Sequence, residues 1–129
     1  MNNNRLELNI LLVEDNLLNQ KLIFLNLQKL GFVIDIANNG VEAVDKVKLK
    51  NYDLILMDLM MPVMDGLEAS VLIRQYQKQV NKHTPIIGLT ANTFDSDREK
   101  CLLYGMDEYM AKPFDLVEFK RVLEQLELI

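Results

Sequence analysis

Five short apolar runs punctuate the chain: Asn9–Val13, Val33–Ala37, Leu54–Met57, Pro85–Leu89 and Glu108–Ala111. Each is four or five residues long and bounded by polar or turn-forming residues, the pattern of a buried strand. Between and after them, apolar residues recur at helical spacing over 17–30, 40–49, 66–79, 94–104 and 115–127. Strands that alternate with helices run parallel, because each helix carries the chain back to the same edge of the sheet. The runs hold few charges, which suits a sheet covered on both faces. The expected architecture is α/β, one doubly wound five-stranded parallel sheet over residues 8–129 behind a polar lead-in at 1–7. No repeat, low-complexity tract or Pro/Ser-rich linker divides it.

Local signals support these elements. Gly31 is a glycine stop for the first helix, and Leu22, Ile23, Leu27 and Leu30 form the stripe expected to meet the sheet. Asp65 with Glu68 reads as a capping box opening the third helix, behind a loop confined by Pro62. Phe119, Val122, Leu123 and Leu126 give the last helix a core-facing stripe. Cys101 reads as a helix packing residue and His83 as a loop residue without a catalytic partner.

Composition narrows the function classes. A chain of 129 residues, 50% hydrophobic and 26% charged, buries roughly two-thirds of its unfolded surface, so disorder and stapled miniprotein scaffolds are excluded. Lys+Arg 14 against Asp+Glu 19 leaves a net charge of −5, and no basic surface for nucleic acid is expected. The single cysteine forms no internal disulfide and no Cys/His cluster exists for zinc, which fits a reducing compartment, the cytoplasm. The apolar runs fall far short of the roughly 20 residues that span a bilayer. Met1–Arg5 lacks a secretory core, so neither a membrane nor secretion is expected for this chain alone.

In doubly wound sheets, ligands sit at the carboxyl ends of the strands. The first strand runs into Glu14 and Asp15 and the third into Asp58, so three carboxylates meet if these strands are neighbours. Unpaired carboxylates that close repel one another unless a cation joins them. Magnesium fits, since it is held by one or two carboxylates plus waters and phosphate oxygens. The alternative is that these acids cap helices or face solvent. The fourth strand ends at Thr90 and the fifth at Lys112, adding a hydroxyl and an ammonium to the same rim. A solvated lysine, and a helix N-cap at Thr90 before Asn92 and Thr93, are the alternatives there. Taken together, metal, ammonium and hydroxyl around a carboxylate suit phosphoryl transfer onto that carboxylate, with Asp58 as nucleophile.

The segments Leu12–Asn16, Met57–Gly66, Leu89–Asn92 and Tyr109–Phe114 resemble, in order and over nearly the whole chain, the receiver domains of two-component response regulators. The resemblance implies a flavodoxin-like (βα)5 fold with strand order 2-1-3-4-5. It implies that Asp58 accepts a phosphoryl group from a phosphohistidine donor. Glu14, Asp15, Asp58 and the backbone carbonyl of Met60 would bind Mg2+, with Mn2+ able to substitute; Glu14, longer than Asp, reaches the ion directly or through water. Lys112 would pair with the phosphoryl oxygens, and Lys112–Pro113 would be a cis peptide. Thr90 would move toward the phosphoryl group and Tyr109 turn inward, shifting the population of a surface on the fourth helix, fifth strand and fifth helix. A phosphorylation-dependent dimer belongs to the same expectation.

The details around Glu14–Asn16 and Asn19–Gln20 are most similar to receivers of hybrid histidine kinases. Such receivers exchange phosphate with a histidine kinase or a histidine-phosphotransfer domain. Leu17, Leu18, Phe24 and Leu25 lie off the core stripe of the first helix and form a candidate docking patch; packing against the last helix, or simple scatter, is the alternative. Met60 and Asn92 flank the acceptor and would govern water access. Three rival readings face this one. A flavodoxin-like cofactor binder needs a phosphate-cradling loop, and neither GxGxxG nor GxxxxGK occurs. An aspartate-nucleophile phosphatase wants an acid two residues after the nucleophile, where Met60 stands. A degenerate receiver, acting as an interaction module without phosphorylation, is the main alternative, against which the intact acids, Thr90 and Lys112 count. The expected role is a phosphoacceptor that assists its own phosphorylation and hydrolysis, not an enzyme in the turnover sense.

Overall fold

The computed structural model describes residues 7–91 and 95–129, with backbone alone at Asp95 and Ser96. Asn92, Thr93 and the lead-in up to residue 6 lie outside the described residues. Strands and helices alternate as β1 (Asn9–Val13), α1 (Leu17–Lys29), β2 (Val33–Ala37), α2 (Gly40–Leu49) and β3 (Leu54–Asp58), then α3 (Gly66–Gln79), β4 (Ile86–Thr90), α4 (Asp95–Leu103), β5 (Glu108–Ala111) and α5 (Leu116–Gln125). The strands pair in parallel in the order β2-β1-β3-β4-β5. β3 and β4 each carry one residue past their apolar runs, because ladder pairing of Asp58 with Leu89 and of Thr90 with Ala111 uses the backbone only.

Alternation along the strands divides the core into two layers. Leu11, Val13, Ile55 and Met57 face α2, α3 and α4 through Val44, Val47, Ala69, Ile73 and Cys101. Ile10, Leu12, Leu54 and Leu56 face α1 and α5 through Ile23, Leu27, Phe119, Val122 and Leu123. Both faces of the sheet are therefore covered, and its carboxyl-terminal rim is left as the concave working edge.

The caps follow local chemistry. Asn16 accepts from the backbone N–H of Asn19 at the start of α1, and Asp65 accepts from Glu68 N–H at the start of α3. Gly31, at φ 88°, follows the end of α1 and lets Phe32 turn back toward Leu27. The α1 stripe differs from expectation at one residue. Ile23 and Leu27 are buried and Leu30 partly so, but Leu22 is 53% exposed. Adjacent helical residues lie about 100° apart, so Leu22 and Ile23 do not share a face; the buried stripe is Gln20, Ile23 and Leu27.

At the opposite, amino-terminal end of the sheet, Arg74 of α3 donates to Gly105 O, Thr84 O, Gln77 Oε1 and Asp107 Oδ2, each at 2.7–2.8 Å. Asp107 also accepts from Ile86 N–H and sits 2.7 Å from His83 Nε2. His83 is a loop residue as read from the sequence, and its partner is this structural carboxylate. On the edge strand β2, Asp35 accepts from the Tyr52 hydroxyl at 2.7 Å and from Lys50 at 3.0 Å.

Two predictions arise from this packing. A β-carbon on Gly66 would lie 2.2 Å from the Asp58 carbonyl oxygen and 2.8 Å from Met57 Cγ. Gly66→Ala is expected to cost about 1–3 kcal/mol in urea unfolding; an unchanged midpoint would mean the loop has room to yield. The Tyr52 hydroxyl, and then Lys50, hold the Asp35 carboxyl below its ordinary 3.8. Such a depressed group contributes stability above the unfolded value and loses it as pH falls through the folded one. Tyr52→Phe should therefore lower unfolding free energy by about 1 kcal/mol at neutral pH, with the difference from wild type shrinking as pH drops below 3.8. A difference that stays constant through that range would contradict a bond to the ionised carboxylate.

Candidate functional site

Because all five strands point the same way, their ends deliver side chains to one rim. β1 runs into Glu14 and Asp15, and its neighbour β3 ends at Asp58, with Val13 opposite Met57 in the ladder. One oxygen from each of these three carboxylates lies within 4.8 Å of the others. Glu14 is fully buried and Asp58 nearly so, while Asp15 is exposed at the mouth. From the far side, Lys112 reaches in: its Nζ stands 2.9 Å from Asp58 Oδ1 and 3.7 Å from Glu14 Oε1, with its side chain 28% exposed. It is not a solvated surface lysine. Its backbone N–H donates to Thr90 O at 2.8 Å, and the Lys112–Pro113 peptide is cis.

The electrostatics are unbalanced. Three carboxylates face one ammonium. Asp58 Oδ1 also accepts from Met60 N–H at 3.2 Å, and Glu14 Oε2 from Asn16 N–H at 3.1 Å. Glu14 Oε1 is buried with no hydrogen-bond donor among the described residues. Burial pushes the Glu14 carboxyl above its ordinary 4.5, and the neighbouring Asp58 charge adds to that rise, while the Asn16 N–H and Lys112 pull the other way. A buried, undonated carboxylate oxygen in a convergent all-oxygen set fits a hard divalent cation such as Mg2+.

Thr90, buried at the end of β4, and Tyr109, half-buried on β5, lie on neighbouring strands, with Gly88 opposite Tyr109 and Thr90 opposite Ala111. Thr90 is the last residue of its strand. Met60, whose N–H reaches Asp58, and Val63, in the same loop with a positive φ of 71°, are both exposed. On α1, Leu17, Leu18 and Leu25 are exposed as expected of a patch, joined by Leu22, whereas Phe24 is partly covered. A groove of about 420 Å³ between α1 and the loop after β5, lined by Asn19, Leu22, Asn26, Pro113 and Phe114, opens beside Glu14 and Lys112. Within the described residues this region has one further polar participant that composition did not flag as site chemistry. Gln20, buried on α1, donates to the Glu14 main-chain carbonyl and to Asn38 Oδ1. The available signal was its place, a polar residue on the stripe otherwise made by Ile23 and Leu27.

Residues 10–124 match the family model of the response regulator receiver domain. The chain is 46% identical over 113 residues to hybrid signal transduction histidine kinase B of Dictyostelium discoideum, covering 81% of this chain and 6% of that protein. It is 39% identical over 140 residues to histidine kinase 5 of Arabidopsis thaliana, covering 90% of this chain and 15% of that protein. The chain thus spans a small part of the curated relatives it matches. Among solved structures, the receiver domain of sensor histidine kinase PA1611 from Pseudomonas aeruginosa, with a magnesium ion coordinated in its active site cleft, superposes with a TM-score of 0.82 at 43% identity, covering 92% of this chain and 96% of that one. The receiver domain of Ssk1 from Saccharomyces cerevisiae, co-crystallised with the histidine phosphotransfer protein Ypd1, gives 0.85 at 34% identity, covering 95% and 92%. Fold, rim geometry and these similarities converge, and the chain belongs to the response regulator receiver domain family of two-component signalling.

Proposed function

We propose that this receiver accepts a phosphoryl group on Asp58 from a phosphohistidine donor, either a histidine kinase or a histidine-phosphotransfer domain. The observation that carries the reading is the placement of Asp58: a buried carboxylate whose Oδ1 lies 2.9 Å from Lys112 Nζ, with an oxygen within 4.8 Å of those of two further acids. In the transfer, the Asp58 carboxylate attacks phosphorus, the bond from phosphorus to the donor imidazole nitrogen breaks, and the electron pair stays with the imidazole. The product is an acyl phosphate on Asp58. Lys112, already paired with Asp58, is placed to follow the charge onto the phosphoryl oxygens. Glu14, Asp15, Asp58 and the Met60 carbonyl are the groups proposed to hold Mg2+, or Mn2+ in its place. Bound there, the ion supplies positive charge toward the phosphoryl oxygens.

Thr90, at the β4 end, moves toward the new group in this account, and Tyr109 on the adjoining strand turns inward, biasing the α4–β5–α5 surface toward a second state. That surface would serve a downstream partner or a phosphorylation-dependent dimer. The exposed leucines of α1 flank the acids and suit a helical phosphotransfer partner; Ssk1 with Ypd1 is a solved precedent for a receiver held by a histidine phosphotransfer protein. No described helix is long and apolar enough to cross a membrane, and a cytoplasmic setting is proposed. The chain consumes one phosphoryl group per site and assists its loss, so it is read as a switch and relay, not a turnover enzyme.

Incubation with acetyl phosphate and Mg2+ should give a single phosphoryl adduct by intact mass, absent from Asp58→Asn and in the presence of EDTA. No adduct on folded protein, from either acetyl phosphate or a phosphohistidine donor, would favour the silent interaction module. Placing Glu at both Leu18 and Leu25 is expected to slow transfer from a phosphorylated histidine-phosphotransfer domain by about tenfold or more, equivalent to about 1.4 kcal/mol of docking energy. Labelling by acetyl phosphate should stay at the wild-type rate; equal transfer from the protein donor would remove α1 from the docking surface.

A further inference from the structure

We propose that Gln20 is a positioning residue for the cation site, holding the Glu14 turn in the shape that brings the three acids together; this rests on the reading of Glu14, Asp15 and Asp58 as the cation ligands. Gln20 is buried on the core stripe of α1, where a leucine would satisfy packing alone. Its Nε2 instead donates both hydrogens, one to the Glu14 carbonyl and one, at 2.7 Å, to Asn38 Oδ1.

Each amide in this chain is oriented by the next. Glu42, in the first turn of α2, accepts from Asn38 N at 2.8 Å and from Asn38 Nδ2 at 3.2 Å. With its Nδ2 committed to that carboxylate, Asn38 turns its Oδ1 toward Gln20. Gln20, its Nε2 facing that acceptor, presents its other hydrogen to the Glu14 carbonyl. The Glu14 peptide is thereby gripped on both sides, since its own N–H donates to Ala37 O at 3.1 Å. From this fixed peptide the Glu14 carboxylate enters the pocket, where one of its oxygens has no hydrogen-bond donor. Asp15 is the next residue, so its approach is set by the same turn.

The physical need is plain. Like charges that close drive the β1–α1 turn open, and a carbonyl without its donor would be free to rotate toward water. Gln20 opposes this with hydrogen bonds that touch neither carboxylate, so it constrains the ligands without neutralising them. Groups that orient metal ligands in this way typically contribute tenfold or more to metal affinity.

The test is Mn2+ binding, read from the free-ion signal in electron paramagnetic resonance, on the whole chain and without any phosphoryl donor. Gln20→Met keeps length and apolar volume but removes the donor; it is expected to weaken Mn2+ binding about tenfold while its amide NMR spectrum remains that of a folded domain. A purely structural role would lower stability and leave the affinity of the folded molecules unchanged, which would overturn the proposal. Where Gln20→Met fails to fold, Glu42→Ala on the α2 surface decides: weaker binding supports the chain of amides, and wild-type binding overturns it. Failure of the wild-type protein itself to bind Mn2+ would instead overturn the cation site and this inference with it.

Discussion

Parallel pairing of β1 with β3 forces Glu14 and Asp58 to emerge side by side at the end of a sheet that is covered on both faces, and the described residues relieve only part of the resulting crowding of charge. Neither acid can swing away into water: both are buried, and Asp58 is still within its strand when it enters the site. Lys112 offsets part of the charge by reaching Asp58, but one Glu14 oxygen is left without a donor. The site therefore stores an electrostatic demand for positive charge. An arrangement that is unfavourable alone and relieved by a bound cation gives a ligand something to exploit, because binding energy can come from that relief.

The surrounding architecture keeps that demand from dissipating. Apolar layers on both faces make the sheet rigid, and Gly66 brings α3 so close to the Asp58 carbonyl that a side chain there would collide. At the other end, Arg74 ties α3 to the α4–β5 corner and to the start of β4 through three hydrogen bonds. The amino ends of the strands are thus braced by satisfied polar groups, and the carboxyl ends carry unsatisfied ones. The braced polar network and the candidate site occupy opposite rims of one sheet.

Much of this was legible in the chain because strand runs and rim residues are local signals. Ile10–Val13 and Leu54–Met57 are apolar and end in acids, so both the strands and the site residues beside them could be read together. The capping of α3 by Asp65 was equally local. The α1 face was not, since Leu17, Leu18, Leu22, Leu25, Leu27 and Leu30 offer more than one apolar stripe, and only the helical phase set by Gln20, Ile23 and Leu27 resolves it. Gln20 carried only faint signals, its part in the family resemblance and its place on the Ile23–Leu27 stripe, and its role shows only when Asn38 and Glu14 are brought to it from other segments. The same holds for Arg74, Asp107 and His83, whose contact depends on elements far apart in sequence.

On the proposed reading, the crowded acids and Lys112 form one receptor for a cation and a phosphoryl group centred on Asp58. A crystal structure of the protein with Mg2+ and beryllofluoride, a mimic of the acyl phosphate, tests it most directly. The expected result is a beryllium centre bonded to an Asp58 carboxylate oxygen, Lys112 Nζ against its fluorides, and Mg2+ among Glu14, Asp15, Asp58 and the Met60 carbonyl. Beryllofluoride on another side chain, or Mg2+ bound away from these acids, would contradict it.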